Sequence, residues 1–231
     1  MAIAYVNSTT GTASSSSSLS IPVPDEWVQD GQLLICIVGD SQAPVTYTEP
    51  SGWTTIFEVT SDPCHHIAYK IADSESGSWS WSKSKSCGSN WVVIGFSGVD
   101  KTNPIGVTDD TTYKTNDSTL RHHSITTTVA NALVLAIGVV YYDMIPTTPP
   151  SGYTKRVDFQ DTDDGSWAAF IISEKLYAST GATGDQDTVC SVTDPTKWGY
   201  HVELKPAAAA GGIPHFADLC GGLNNDLTGG I

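Results

Sequence analysis

The sequence predicts an all-β protein: an antiparallel, jelly-roll-like β-sandwich built from two pseudo-repeated halves, followed by a non-repeat C-terminal tail. Three observations carry this prediction. Among 231 residues, 26 Ser and 27 Thr far outnumber the 15 Glu and Lys. Thr suits strands and Ser suits turns, whereas Glu and Lys are surface helix formers. Apolar residues run continuously or alternate with period two, and no convincing long helix stands out. The chain is also written twice, at an offset that grows from 100 to 107 residues.

Residues 3–6 read as a first edge strand, and the five serines at 14–18 as a loop leading to a strand over 19–23. Leu33-Leu-Ile-Cys-Ile37 is apolar throughout and stands 100 residues before Leu133-Val-Leu-Ala-Ile137. A run apolar on both sides predicts a central strand covered on both faces. Pro50-Ser-Gly-Trp53-Thr likewise precedes Pro150-Ser-Gly-Tyr153-Thr by 100 residues, a repeated turn signal. Ala68-Tyr-Lys-Ile71 answers Ser173-Glu-Lys-Leu176 at 105, and the Trp91 segment answers the Trp198 segment at 107. Residues 18–23 resemble residues 124–129. Alternation puts Ile67, Tyr69 and Ile71 on one strand face, and does the same for Val92, Ile94 and Phe96. Val157 with Phe159, and Tyr200 with Val202 and Leu204, follow that pattern. About ten strands are expected, in one domain over residues 1–206 with halves near 18–100 and 124–206. A repeat of this length is too long for a solenoid unit.

Residues 207–231 fall outside the repeat. Four alanines and Gly211-Gly212 make a linker, and then Ile213, Phe216, Leu219, Leu223, Leu227 and Ile231 form a sparse apolar set among glycines. Such a segment cannot bury itself alone, so these six residues are the expected partner-binding set.

Charge excludes several classes. Lys and Arg number 11 against 25 Asp and Glu, a net charge of −14. With two Arg and no basic cluster, neither nucleic acid nor an anionic membrane surface is an expected partner. The longest apolar run, residues 133–142, is about half a membrane span. No signal-peptide pattern opens the sequence. Five scattered Cys without C-x-x-C spacing fit reduced thiols in a protein assembled in a cytoplasm.

Candidate chemistry is sparse. Trp79 and Trp81 alternate with Ser on one strand face; the pair is either core filling or a sugar-stacking platform, and core is favoured. Tyr141 and Tyr142 are the other candidate carbohydrate contacts. The pairs His65-His66 and His122-His123 point to opposite strand faces, so neither pair can clamp one metal. They read as surface or interface histidines. Asp161, Asp163 and Asp164, with Asp185 and Asp187, read as solvated turns lacking the EF-hand pattern. The six Glu read as loop or solvent-face positions, and no G-x-S-x-G, P-loop or H-E-x-x-H motif occurs. No enzyme, metal or cofactor is expected.

The ordered motif string is Gly31-Gln-Leu-Leu, Pro-Ser-Gly-Trp53-Thr, Ala68-Tyr-Lys, Phe96-Ser-Gly-Val-Asp100, Asn103-Pro-Ile105, Asn131-Ala-Leu-Val-Leu and Pro-Ser-Gly-Tyr153-Thr. Over residues 18–206 it resembles a family of jelly-roll-like β-sandwich proteins carried by tailed bacteriophages and prophages. These are virion structural, decoration or fibre-associated proteins. The resemblance implies a non-enzymatic virion protein, most simply a capsid decoration or cement protein assembled in the host bacterial cytoplasm. Its implied partners are the major capsid protein or a neighbouring subunit, with homo-oligomers such as trimers expected. The alternative it implies is a tail-fibre or tailspike-associated module that binds host glycan.

Overall fold

The computed structural model describes residues 2–40, 44–109, 117–141, 146–160, 168–194 and 197–208. Among these residues there is no helix, and fourteen strands account for most of them. The first half contributes β1 (Ala4–Pro22), β2 (Leu33–Asp40), β3 (Tyr47–Thr48), β4 (Thr54–Val59), β5 (Cys64–Ile71) and β6 (Ser78–Ser97). The second contributes β7 (Ile105–Asp109), β8 (Asp117–His122), β9 (Ala132–Tyr141), β10 (Pro146–Thr148) and β11 (Thr154–Phe159). It ends with β12 (Ala168–Tyr177), β13 (Gln186–Asp194) and β14 (Lys197–Leu204). More strands form than the ten expected; β3 and β10, for example, are too short to show any alternation.

The strands assemble antiparallel in the orders β1-β6-β2-β5-β4, with β3 on β6, then β11-β12-β9-β14-β7, and β10-β13-β8. Written from its far end, the second sheet is β7-β14-β9-β12-β11, which matches the first strand for strand. The apolar runs end up where their composition demands. In β2, Leu33, Ile35 and Ile37 enter a core shared by the two large sheets, while Leu34, Cys36 and Val38 enter a second core on the opposite face. In β9, Leu133, Leu135, Ile137 and Val139 face the shared core and Val140 faces a third cluster with Leu120 and Ile171.

Each half is therefore a sandwich in its own right, and the two stack through their large sheets. In the first half one pair of long strands builds both layers. Residues 4–13 of β1 pair with 89–97 of β6 in the large sheet, and residues 18–22 pair with 78–82 in the covering layer. Register shifts between Ala13 and Ser16, and between Ser16 and Ser18, turn the corner. The serine run is thus no loop but the bulged bend of one continuous strand, where small side chains tolerate the strong local twist.

The ladders also correct one repeat assignment. Val38 pairs with Trp91, but Trp198 pairs with Val139, the counterpart of Gly39. The two tryptophans are one residue out of register. Because a one-residue slip reverses the face, Trp91 lies in the first half's own core and Trp198 in the shared one.

Candidate functional site

Trp79 and Trp81 pack into the first half's core at 6% and 1% exposure. Trp53 meets Trp79 edge-on at 5.3 Å and Trp81 at 5.9 Å, and His66 meets Trp81 at 5.5 Å. Trp79 Nε1 donates to Glu75 Oε2 at 2.6 Å, and Lys70 Nζ reaches Glu75 Oε1 at 2.5 Å. Sugar stacking needs an open ring face, and neither ring has one. These two residues are core, which removes them from the candidate carbohydrate contacts. Tyr141 is half-buried at the end of β9. Tyr142 lies outside the described residues, as do Asp161, Asp163 and Asp164.

The paired histidines, His123 apart, are not at the surface. His65, His66 and His122 are at most 1% exposed, and only His123 is half-open. Neighbours do point to opposite faces, as strand geometry requires, but stacked sandwiches leave both faces of β5 covered. His65 Nδ1 lies 2.8 Å from the Pro63 carbonyl, so that nitrogen carries the proton and Nε2 accepts from the Tyr200 hydroxyl at 2.5 Å. His201 repeats this arrangement. Its Nδ1–H donates to the His123 carbonyl at 2.7 Å, and its Nε2 accepts from Tyr153 Oη at 3.1 Å. His122 Nδ1 faces the Tyr200 carbonyl at 3.2 Å and its Nε2 faces Thr188 Oγ1 at 3.0 Å. Burial disfavours the cation in every case, pushing His65 down to about 4 and His122 to about 3, with His201 also lowered. His65, His122 and His201 are neutral, fully bonded imidazoles sealed inside the molecule, whereas the buried Nδ1 of His66 has no hydrogen-bond partner.

Asp185 and Asp187, the described members of the acidic clusters, are committed to protein partners. Asp187 takes two bonds from Arg121 at 3.0 and 3.2 Å, and Asp185 accepts from the Ser124 amide at 3.0 Å. No group of three His, Cys, Asp or Glu suited to a metal ion occurs among the described residues. Two Glu depart from the expected solvent positions. Glu203 is fully buried and clasps the amides of Val107 and Thr128 at 3.0 and 2.6 Å, tying β7 and the approach to β9 onto β14. Glu174 is 8% exposed and pairs with Arg156. Alternation alone could not reveal either, since both faces of these strands are covered.

The chain leaves the sandwiches through a fixed exit. Lys205 N–H donates to the Pro104 carbonyl and Asp100 N–H to the Lys205 carbonyl, both at 2.8 Å. Pro206 bridges to Val99, and Ala207 N–H donates to the Gly98 carbonyl at 2.9 Å. Ala207 and Ala208 then form part of the wall of a groove of about 690 Å³, shared with Ala2, Val129 and Asn131. The six apolar tail residues, Ile213, Phe216, Leu219, Leu223, Leu227 and Ile231, lie outside the described residues. In comparisons with known proteins, no family model, no curated protein and no solved structure matches this chain.

Proposed function

We propose that this chain is a non-enzymatic structural protein of a tailed-phage virion, a decoration or cement protein that attaches through its C-terminal segment to a capsid subunit or to a neighbouring copy. One observation carries the attachment reading. The described core clusters are made of residues from Ile3 to Leu204, and the exit is pinned by backbone bonds through Ala207. The apolar set from Ile213 to Ile231 is therefore not needed to complete the described cores. Buried apolar anchors contribute most of the energy of protein interfaces. The virion context is supported by the motif string, whose turns and core strands resemble those of phage sandwich proteins.

Removing residues 209–231 tests this. The shortened chain is expected to fold with unchanged secondary structure and to be missing from purified particles, whereas the full chain is incorporated. Full incorporation of the shortened chain would overturn the reading.

A further inference from the structure

The seam between the two halves differs from one side of the molecule to the other. In the first half, Thr54 pairs with Tyr69 and a register shift at Ile56 separates Thr55 from Phe57. In the second, Thr154 pairs with Glu174 and the same shift occurs at Arg156. Leu33 pairs with Ile71 as Leu133 pairs with Leu176, so the surrounding ladders correspond as well. Ile56 and Tyr69 pack against the shared core as ordinary apolar residues. At the corresponding positions the second half places an ion pair.

That pair is costly as structure. Glu174 is 8% exposed, and Arg156 Nε and Nη2 both donate to its Oε1, at 2.8 and 2.6 Å. Glu174 Oε2 is buried and has no hydrogen-bond partner. A buried ion pair rarely stabilises more than an apolar pair of similar size, and an unsatisfied carboxylate oxygen adds a penalty. Ile56 and Tyr69 show that the fold closes this seam without charge.

The pair lines a cleft of about 400 Å³ between the halves, with Ile3, with Tyr5 from β1 and with Lys175 and Leu176 from β12. The Arg156 guanidinium lies over the Tyr5 ring at 4.6 Å, and Lys175 Nζ lies over the Tyr153 and Tyr177 rings at 5.5 and 5.2 Å. Leu176 is 51% exposed, one of three large apolar side chains left open among the described residues.

We infer that this cleft binds a neutral pyranose presenting a vicinal diol. A carboxylate beside a guanidinium offers an acceptor and donors side by side, which is the complement of two adjacent hydroxyls. Leu176 supplies apolar surface for the C–H face of the ring. An anionic ligand is disfavoured by the chain's net charge of −14, and a cationic one by Arg156 and Lys175 at the cleft. The Arg156 side chain, 32% exposed, is the part that shifts to admit a hydroxyl to Glu174 Oε2. The site is complete within residues 3–176 and is independent of the tail, so its failure would leave the attachment reading untouched.

The test is saturation-transfer NMR of the full chain with methyl glucoside, galactoside and mannoside, their N-acetylated and uronic acid analogues, and spermidine as a cationic control. At least one neutral sugar is expected to bind and to shift the Arg156 Nε–H signal. The double variant R156I/E174Y grafts the first half's pair onto the second; it is expected to stay folded and to weaken binding about tenfold or more, as loss of hydrogen bonds to charged groups does. Should that variant not fold, the Arg156 signal in the unmodified chain decides. Absence of binding, binding confined to charged ligands, an unmoved Arg156 signal, or equal binding by the folded variant would each overturn the inference.

Discussion

His65 and Tyr200 come from different halves, 135 positions apart, and meet in the shared core with the phenol Oη 2.5 Å from the imidazole. Phe57 stacks on the same Tyr200 ring at 4.3 Å. Replacing Tyr200 by Phe keeps the stack and leaves His65 Nε2 without its donor. A buried acceptor so orphaned costs about 1–3 kcal/mol, and urea unfolding should show that loss; unchanged stability would contradict the bond. Buried neutral histidines also set the response to acid. Unfolded histidine takes up a proton near pH 6.5, whereas burial pushes folded His65 down to about 4. As pH falls through this window the unfolded chain binds more protons, so stability declines from about pH 6.5 to about 4. For His65 the total is on the order of 3 kcal/mol. A midpoint of denaturation that stays flat from pH 7 to 4 would show that these rings are not buried neutral.

At the scale of elements, tryptophans pack onto glycines of the large sheet. A Cβ at Gly95 of β6 would stand 2.4 Å from the Trp27 ring, whose Nε1 donates to Thr9 of β1 at 3.2 Å. Gly11 of β1 likewise leaves room for the ring of Trp91, its cross-strand partner within the same sheet. Gly95→Ala must therefore displace a buried indole and is expected to destabilise by about 1–3 kcal/mol. Gly181→Ala, with nothing within 4 Å of its Cβ, is the matched control and should be neutral or slightly stabilising. Equal thermal shifts in the two variants would contradict this packing. Element identity was largely legible in sequence. The runs at Leu33 and Leu133 announced strands covered on both faces. The two Pro-Ser-Gly turns do place Gly52 and Gly152 at φ of 87° and 77°, with Trp53 and Tyr153 N–H bonded back to Pro50 and Pro150. The serine corner was not legible, because a bulged bend and a loop favour the same small polar residues. Nor were the buried positions of His65, Glu174 and Glu203. A period-two pattern assumes one wet face, and in stacked sandwiches that face is dry.

At the scale of the molecule, four layers of sheet arise from two sandwiches whose strand orders match. The corresponding ladders make the differences between halves informative: where one side has Ile56 and Tyr69, the other has Arg156 and Glu174. That contrast could be seen only after the ladders fixed the register. The acidic surplus, 25 Asp and Glu against 11 Lys and Arg, gives the chain a net negative charge that repels other acidic surfaces. Since the described core clusters are made of residues up to Leu204, attachment through the tail predicts that removing residues 209–231 leaves the melting temperature within about 2 °C of the full chain's. A larger fall would mean that the tail packs on its own sandwich. The most direct test is an electron cryomicroscopy reconstruction of the intact particle. Attachment through the tail predicts density for Phe216, Leu219 and Leu223 seated in a pocket of a capsid subunit or a neighbouring copy. Tail density confined to the chain's own sandwiches, or a particle without this chain, would contradict it.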